Sequence, residues 1–372
     1  MVYLDYAANS PVDENVLDYY YEITKKYYAN PNSSHGLGLE AKKMIDNATN
    51  HIASLLGVLP EEVIYTSGAT ESNNLAIKGV CERYKNYGKH IIVSGLEHNS
   101  IIASATTMQE AGFEVDVLNV TKDGIIDLEN LKKLLREDTI LVSICCVDSE
   151  LGIRQPIEEI AKIVKSNPHT VFHTDAAQSI GKVSIDFSDV DLVTIAPHKF
   201  YGLNGFGVLI KKKDVSIKPI IHGGKSTTVY RSGTPVLGNI LAFEKALDIA
   251  ISKQEERYHA VQKMNHEVRD FLNNYKNVYI NSTDQSIPFT LNFSIKGVKS
   301  DCFAKMLEEK GIYLSTKTSC CPVGTPSKLV FALTHDKALA SSSLRISFSH
   351  LTTDAELKEF YLAFDQCIKE VS

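Results

Sequence analysis

Between residues 63 and 210, short runs of β-branched and aliphatic residues alternate with helical patterns, which restricts the chain to few architectures. The apolar runs lie at 63–66, 91–94, 115–118, 140–144, 171–174, 192–195 and 208–210, each too short to be a buried helix. Helical patterns at 71–84, 99–111, 128–136 and 157–165 separate most of them. Strands joined by helices of that length form a mostly parallel sheet, because each crossover lays a helix on one face or the other. The expected fold is α/β: a mostly parallel seven-stranded sheet covered by helices on both faces. Ligands in such sheets gather beyond the carboxyl ends of the strands, so the residues that follow each run are the informative ones.

At 372 residues the chain exceeds the size at which one core keeps growing. Residues 1–13 read as extended up to Pro11, and helical patterns at 14–27 and 39–56 flank the turn-rich loop Asn30-Pro31-Asn32-Ser33-Ser34-His35-Gly36. After Gly238 the texture changes. A long helix over 240–275 leads to a strand at 289–293, a helix at 301–310, a loop at 315–327, a strand at 344–348 and a terminal helix from 354. The expected division is a large domain, 14–238, and a smaller α+β domain made of 1–13 plus 239–372. A net charge of −6, with Lys211-Lys212-Lys213 as a solvated turn, argues against nucleic acid. No apolar run approaches the ~20 residues that span a bilayer, and the first residues lack the regions of a signal peptide, so a cytoplasmic protein without membrane attachment is expected. The seven cysteines are odd in number and lack paired CxxC spacing, which argues against a disulfide framework or a zinc site.

Four strand ends carry chemistry. The run at 192–195 breaks at Pro197, presents His198 and Lys199, and passes through Gly202, Gly205 and Gly207 into the next run. A lysine set into a pocket sheds its proton readily and condenses with aldehydes, whereas a surface lysine does neither. After 63–66, Ser67-Gly68-Ala69-Thr70-Glu71 opens a helix with small residues, which makes either an anion site or a plain N-cap. It is not a Walker loop, since the Gly-Lys-Ser/Thr ending is absent. After 91–94 comes Glu97-His98, a histidine able to lie against a ring or move a proton, or simply to be structural. After 171–174 comes Asp175, an N-cap or a carboxylate for a pyridinium N–H. Together an anion cradle, a ring-facing histidine, a buried aspartate and a pocket lysine are the four parts that hold pyridoxal phosphate.

The motifs extend over nearly the whole chain: Tyr3-Leu4-Asp5-Tyr6-Ala7-Ala8, Asn30-Pro31 with Ser33-Ser34, and Thr66-Ser67-Gly68-Ala69-Thr70-Glu71-Ser72-Asn73-Asn74. They continue through Glu97-His98, Asp175-Ala176-Ala177-Gln178-Ser179-Ile180-Gly181, His198-Lys199-Phe200-Tyr201-Gly202, Arg231-Ser232-Gly233-Thr234 and Ser342-Ser343-Leu344-Arg345-Ile346-Ser347. In these the sequence resembles class V, fold type I, pyridoxal-phosphate enzymes, and among them the cysteine desulfurases of the NifS/IscS kind. The resemblance implies that Lys199 carries the Schiff base, Asp175 pairs with the ring nitrogen, Gln178 reaches the ring hydroxyl and His98 stacks on the ring. Ala69, Thr70 and His198 would hold the phosphate, and Thr234 would reach the phosphate of a partner subunit, implying a homodimer. Arg345 would fork onto the carboxylate of L-cysteine, and Asn30 would line the substrate mouth.

The nucleophile implied by the resemblance is Cys320, in the loop Thr318-Ser319-Cys320-Cys321-Pro322-Val323-Gly324, with Cys321 as the fallback. Its persulfide would pass sulfur to an acceptor protein. Three departures stand out. Asp148-Ser149 replaces the usual Asn-Asn, leaving Ser149 at the ring-hydroxyl position; Ala196 replaces a phosphate-binding serine; and the loop from Gly223 to Thr228 lacks the usual Gln-Glu. Cys145-Cys146 reads as part of a core strand. The alternatives to a desulfurase are a lyase or aminotransferase of the same fold without a cysteine nucleophile, and a catalytically quiet sulfur-relay scaffold.

Overall fold

A computed structural model describes residues 1–224, 228–317 and 325–371, which form three sheets, of seven, three and two strands. The strands, in chain order, are β1 (Val2–Tyr3), β2 (Val63–Thr66), β3 (His90–Ser94), β4 (Glu114–Leu118), β5 (Thr139–Ser143), β6 (Val171–Asp175), β7 (Leu192–Ile195), β8 (Gly207–Lys211), β9 (Val278–Ile280), β10 (Thr290–Ile295), β11 (Ile312–Tyr313) and β12 (Ser343–Ser347). The large sheet has seven strands in the order β2-β8-β7-β6-β5-β3-β4, and only β8 runs against its neighbours. The seven-stranded, mostly parallel sheet expected from the alternation is present.

Alternating residues explain the two covered faces. After helices α1 (Glu14–Lys26) and α2 (Gly36–Leu56) come α3 (Ala69–Tyr84) and α4 (Asn99–Glu110); Ile64, Ile91, Val93, Leu192 and Leu209 face one core with Leu75, Val80, Ile101 and Met108 of these last two. Val63, Tyr65, Ile92, Val142, Phe172, Val193 and Val208 face the other core with the apolar sides of four helices, Gly36–Leu56, Ile157–Val164, Leu237–Ser252 and Gln254–Leu272. These strands carry apolar residues at both parities, as buried parallel strands require.

The small sheet, β12-β10-β9, is antiparallel, and the helices Ser300–Glu309 and Asp354–Glu370 pack on it. The first residues reach across to it: Val2–Tyr3 pairs in parallel with Ile312–Tyr313, and the Ser347 amide donates to the Leu4 carbonyl at 2.8 Å. One expectation is corrected here. The helix expected over 240–275 is two helices that meet at Lys253, whose ψ of 6° departs from helical geometry. Ser252-Lys253-Gln254 carries no large apolar side chain to hold it in line. On one side Phe243 and Leu247 bury against the large sheet's core, and on the other Asn265 binds the carbonyl of Pro288 ahead of β10.

Two glycines position the edge that matters. Gly68 sits at φ 151°, and a Cβ on Gly207 would lie 2.6 Å from the Gly68 Cα. The start of α3 and the start of β8 therefore share space that only hydrogen can fill. We expect Gly207→Ala to destabilise the protein by about 1–3 kcal/mol and to weaken pyridoxal-phosphate binding, measured by urea unfolding and by cofactor titration. A variant with wild-type stability and affinity would contradict this packing.

Candidate active site

The carboxyl ends of β2, β7, β6, β5 and β3 open on one edge of the sheet, and the start of the antiparallel β8 lies on the same edge. After β2, Ala69 and Thr70 head α3; the first amide to bond back is that of Ser72, to the Gly68 carbonyl at 3.1 Å. The exposed amides and the positive end of a 16-residue helix suit a phosphate. Glu71 secures this turn from behind, accepting from the Ser67 amide at 2.8 Å and pairing with Arg231 at 2.9 Å.

After β3, His98 caps α4, its Nδ1 accepting the Ser100 amide at 3.2 Å. The proton of its neutral form is thereby placed on Nε2, and burial favours that neutral form by pushing its pKa down. Asp175 ends β6 in a buried position. Its Oδ2 accepts from Asn73 at 2.8 Å and its Oδ1 from the Ala177 amide at 2.9 Å. Asn73 also donates to Ser100 Oγ at 2.9 Å, and that hydroxyl lies 2.8 Å from His98 Nδ1. A continuous polar chain thus joins the histidine to the aspartate.

Lys199 closes the short turn Pro197–Lys199 after β7, and its Nζ donates to the carbonyls of Ala7 and Ala8 at 2.8 and 2.7 Å. The Ala7 carbonyl also accepts from Gln178 Nε2 at 2.9 Å. His198 lies beside Lys199, and burial, with the neighbouring lysine charges adding, pushes its pKa down to about 4. Arg345, on β12, is 1% exposed; its Nη2 pairs with Asp5 Oδ1 at 2.7 Å and its Nη1 donates to the Ser149 carbonyl at 2.7 Å. Its Nε has no hydrogen-bond partner among the described residues.

These groups line one cavity of about 440 Å³, together with Ala69, Thr70, His98, Ser149, Asp175, Gln178, His198, Lys199 and Arg345. That volume suits a small ligand. Asn30 is exposed and does not line it, and Thr234 lines a separate cleft with Arg231 and Gly205. Cys320 and Cys321 lie outside the described residues. Three neighbours carry no role on sequence grounds: Asn73 and Asp5 lie inside the motifs, and Lys182 stands just past Gly181. The donors fit pyridoxal phosphate: helix-end amides for phosphate, a half-satisfied carboxylate for the ring nitrogen, and an amine for the aldehyde.

The Aminotransferase class-V family model matches residues 2–360. The chain is 36% identical to a cysteine desulfurase IscS of Dictyoglomus turgidum, over 96% of this chain and 91% of that one. It is 39% identical to a mitochondrial cysteine desulfurase of Candida albicans, over 96% and 74%. A solved NifS-like protein superposes with a TM-score of 0.93 at 33% identity, covering 99% of both chains. The chain belongs to the class-V aminotransferases. Within them it is a cysteine desulfurase of the IscS/NifS group, a pyridoxal-phosphate-dependent family.

In this desulfurase the adjacent cysteines Cys145 and Cys146 follow β5 rather than lying in it. Both are buried, and Cys145 faces the cavity. Burial pushes the Cys146 thiol up to about 12 and the Cys145 thiol well above its usual value, so neither is a ready nucleophile. Ala196 is fully buried beneath the lysine turn, and Ser149 lines the cavity.

Glu97 is the least expected group. Its Oε1 accepts from Ser94 Oγ and from the Cys145 amide, and its buried Oε2 has no partner among the described residues. Burial, with Asp175 adding, pushes its pKa up to about 8, so it is protonated at neutral pH. Folding favours the protonated form. Its contribution to stability is fully present below the ordinary value of 4.5 and is lost as pH rises toward about 8. Glu97→Gln keeps the Oε1 acceptor and removes the titration. We expect its urea midpoint to fall less than that of the wild type between pH 5.5 and pH 8; parallel curves would refute a buried protonated acid.

Proposed function

We propose that this chain converts L-cysteine to L-alanine and carries the removed sulfur as a persulfide on Cys320, for delivery to an acceptor protein in iron–sulfur cluster assembly. The observation that carries the reading is one cavity holding an amine, Lys199, and a buried guanidinium, Arg345, whose Nε has no partner among the described residues. Those two groups are what an α-amino acid needs to be bound and activated. The sulfur chemistry rests on the likeness to cysteine desulfurases and on Cys320 in the family's loop position. A homodimer, with Thr234 turned toward the partner, and a cytoplasmic location complete the proposal; no described helix is long and apolar enough to cross a membrane.

Pyridoxal phosphate bound here supplies an electron sink for the carbanion left when the α-proton departs. Ala69, Thr70 and His198 would hold its phosphate, Asp175 its ring nitrogen, Gln178 and Ser149 its ring hydroxyl, and His98 its face. Lys199, released from the carbonyls of Ala7 and Ala8, moves the α-proton of the substrate. Arg345 fixes the substrate carboxylate, already oriented by Asp5 and the Ser149 carbonyl. His98, neutral with its proton on Nε2, would be the proton donor beside the sulfur end of the substrate. The thiolate of Cys320 attacks the substrate sulfur; the Cβ–S bond breaks with its electron pair left toward Cβ, which takes up a proton on the way to alanine, and Cys320 keeps the sulfur as a persulfide.

Incubation of the holoenzyme with L-cysteine, followed by mass spectrometry, should show alanine and one added sulfur on the peptide covering 318–328. Lys199→Ala should abolish both products, and Cys320→Ala should abolish the added sulfur. Pyruvate and ammonia in place of alanine, or undiminished sulfur release by Cys320→Ala, would overturn the proposal. Arg345→Lys replaces a planar fork by a point charge. Losing charge-assisted bonds of about 1.5–3 kcal/mol should raise KM for L-cysteine about 10- to 100-fold, with a smaller effect on kcat.

A further inference from the structure

Lys182 is a buried lysine, 8% exposed, whose Nζ donates to Gln178 Oε1 at 2.7 Å. Its Nζ also lies 6.0 Å from the centre of the Phe289 ring, and among the described residues no carboxylate forms an ion pair with it. Such burial disfavours the charged amine, and Lys199 and Arg345 add to the effect, pushing its pKa down to about 7. A core position gains nothing from this group, because an apolar side chain would pack there without the desolvation cost. The one thing it does is fix an amide.

An amide side chain has an oxygen end and a nitrogen end, and its neighbours decide which faces where. The Lys182 amine, charged or neutral, has N–H groups to give, and it donates one to Gln178 Oε1 at 2.7 Å. On the other side, the Ala7 carbonyl can only accept, and it meets Gln178 Nε2 at 2.9 Å. Both neighbours impose the same orientation. Nε2 keeps a second N–H beyond the one given to Ala7, and Gln178 lines the cavity.

We infer that Lys182 is a positioning residue that locks Gln178 as a hydrogen-bond donor toward the ring oxygen of pyridoxal phosphate. This rests on the proposed cofactor site. A donor there favours the ionised oxygen, so losing it should weaken cofactor binding and raise the pH midpoint of the bound cofactor's visible absorbance.

The test compares the wild type, Lys182→Met, Lys182→Gln, Gln178→Ala and the double variant Lys182→Met/Gln178→Ala. The readouts are the dissociation constant for pyridoxal phosphate by equilibrium dialysis, the absorbance midpoint, and unfolding of the apoprotein. Lys182→Met should keep apoprotein stability, weaken cofactor binding about five- to tenfold and raise the midpoint. The double variant should bind no worse than Gln178→Ala alone, because Lys182 acts through that amide. If the methionine variant fails to fold, Lys182→Gln still decides: an uncharged donor should bind the cofactor within about twofold of wild type. Wild-type affinity in Lys182→Met, additive losses in the double variant, or a large loss in Lys182→Gln would each overturn the inference. A wild-type protein that binds no pyridoxal phosphate would instead overturn the site itself.

Discussion

The carbonyl of Ala7 accepts hydrogen bonds from both Lys199 and Gln178, and the site depends on that shared acceptor. It belongs to a short N-terminal segment lying in a seam. Ser347 Oγ accepts the Ala7 amide at 2.8 Å, and the Ser10 amide and hydroxyl both reach the His198 carbonyl at 2.9 Å. The Asp13 amide meets the Tyr201 carbonyl, so the segment is stitched to the lysine turn at two points and to β12 at a third. Tyr201 itself holds φ 69°, unusual for a tyrosine. It is secured by Ser10 Oγ at its amide, by Ser349 at its hydroxyl and by Arg257 over its ring. The lysine is held in place by groups from three distant parts of the chain.

The site gathers two lysines and an arginine, of which Lys182 and Arg345 are buried. Lys199, Lys182 and Arg345 stand close enough that Lys182 feels the charge of the other two. Asp5 and the Ser149 carbonyl answer Arg345, the carbonyls of Ala7 and Ala8 answer Lys199, and Gln178 Oε1 answers Lys182. Carbonyls stabilise an ammonium without neutralising it; the same cavity is also lined by Glu71, Asp148 and Asp175, so cationic and anionic groups face one ligand space.

The fold was legible because its strands obey a simple rule: buried on both faces, short, and bounded by turns. Most strands and helices begin within a residue or two of where the apolar pattern begins. The residues at the strand ends were legible for the same reason, since topology alone brings Thr70, His98, Asp175 and Lys199 to one edge. Groups whose meaning comes from long-range pairing were not. Asp5 precedes Arg345 by 340 positions, and nothing local to either announces the pair. Lys182 follows a glycine in a motif that seemed finished, and its burial is a tertiary fact. The break at Lys253 was hidden because helical periodicity continues through it, while the core it faces changes.

At Asp148, where the sequence resemblance implies an asparagine, the side chain organises the turn that follows it. Its Oδ1 accepts the amides of Glu150 and Leu151 at 2.9 and 2.7 Å, and its Oδ2 accepts that of Ile153 at 2.7 Å. An asparagine would present N–H groups to one of those amides, donor against donor, and so could satisfy one side of the turn only. Burial opposes the carboxylate and pushes its pKa up to about 6, while the three amides pull the other way. The turn thus holds an ion at neutral pH without a counter-charge. It delivers the Ser149 carbonyl to Arg345 through the backbone, so the guanidinium's support does not depend on which side chain stands at position 149.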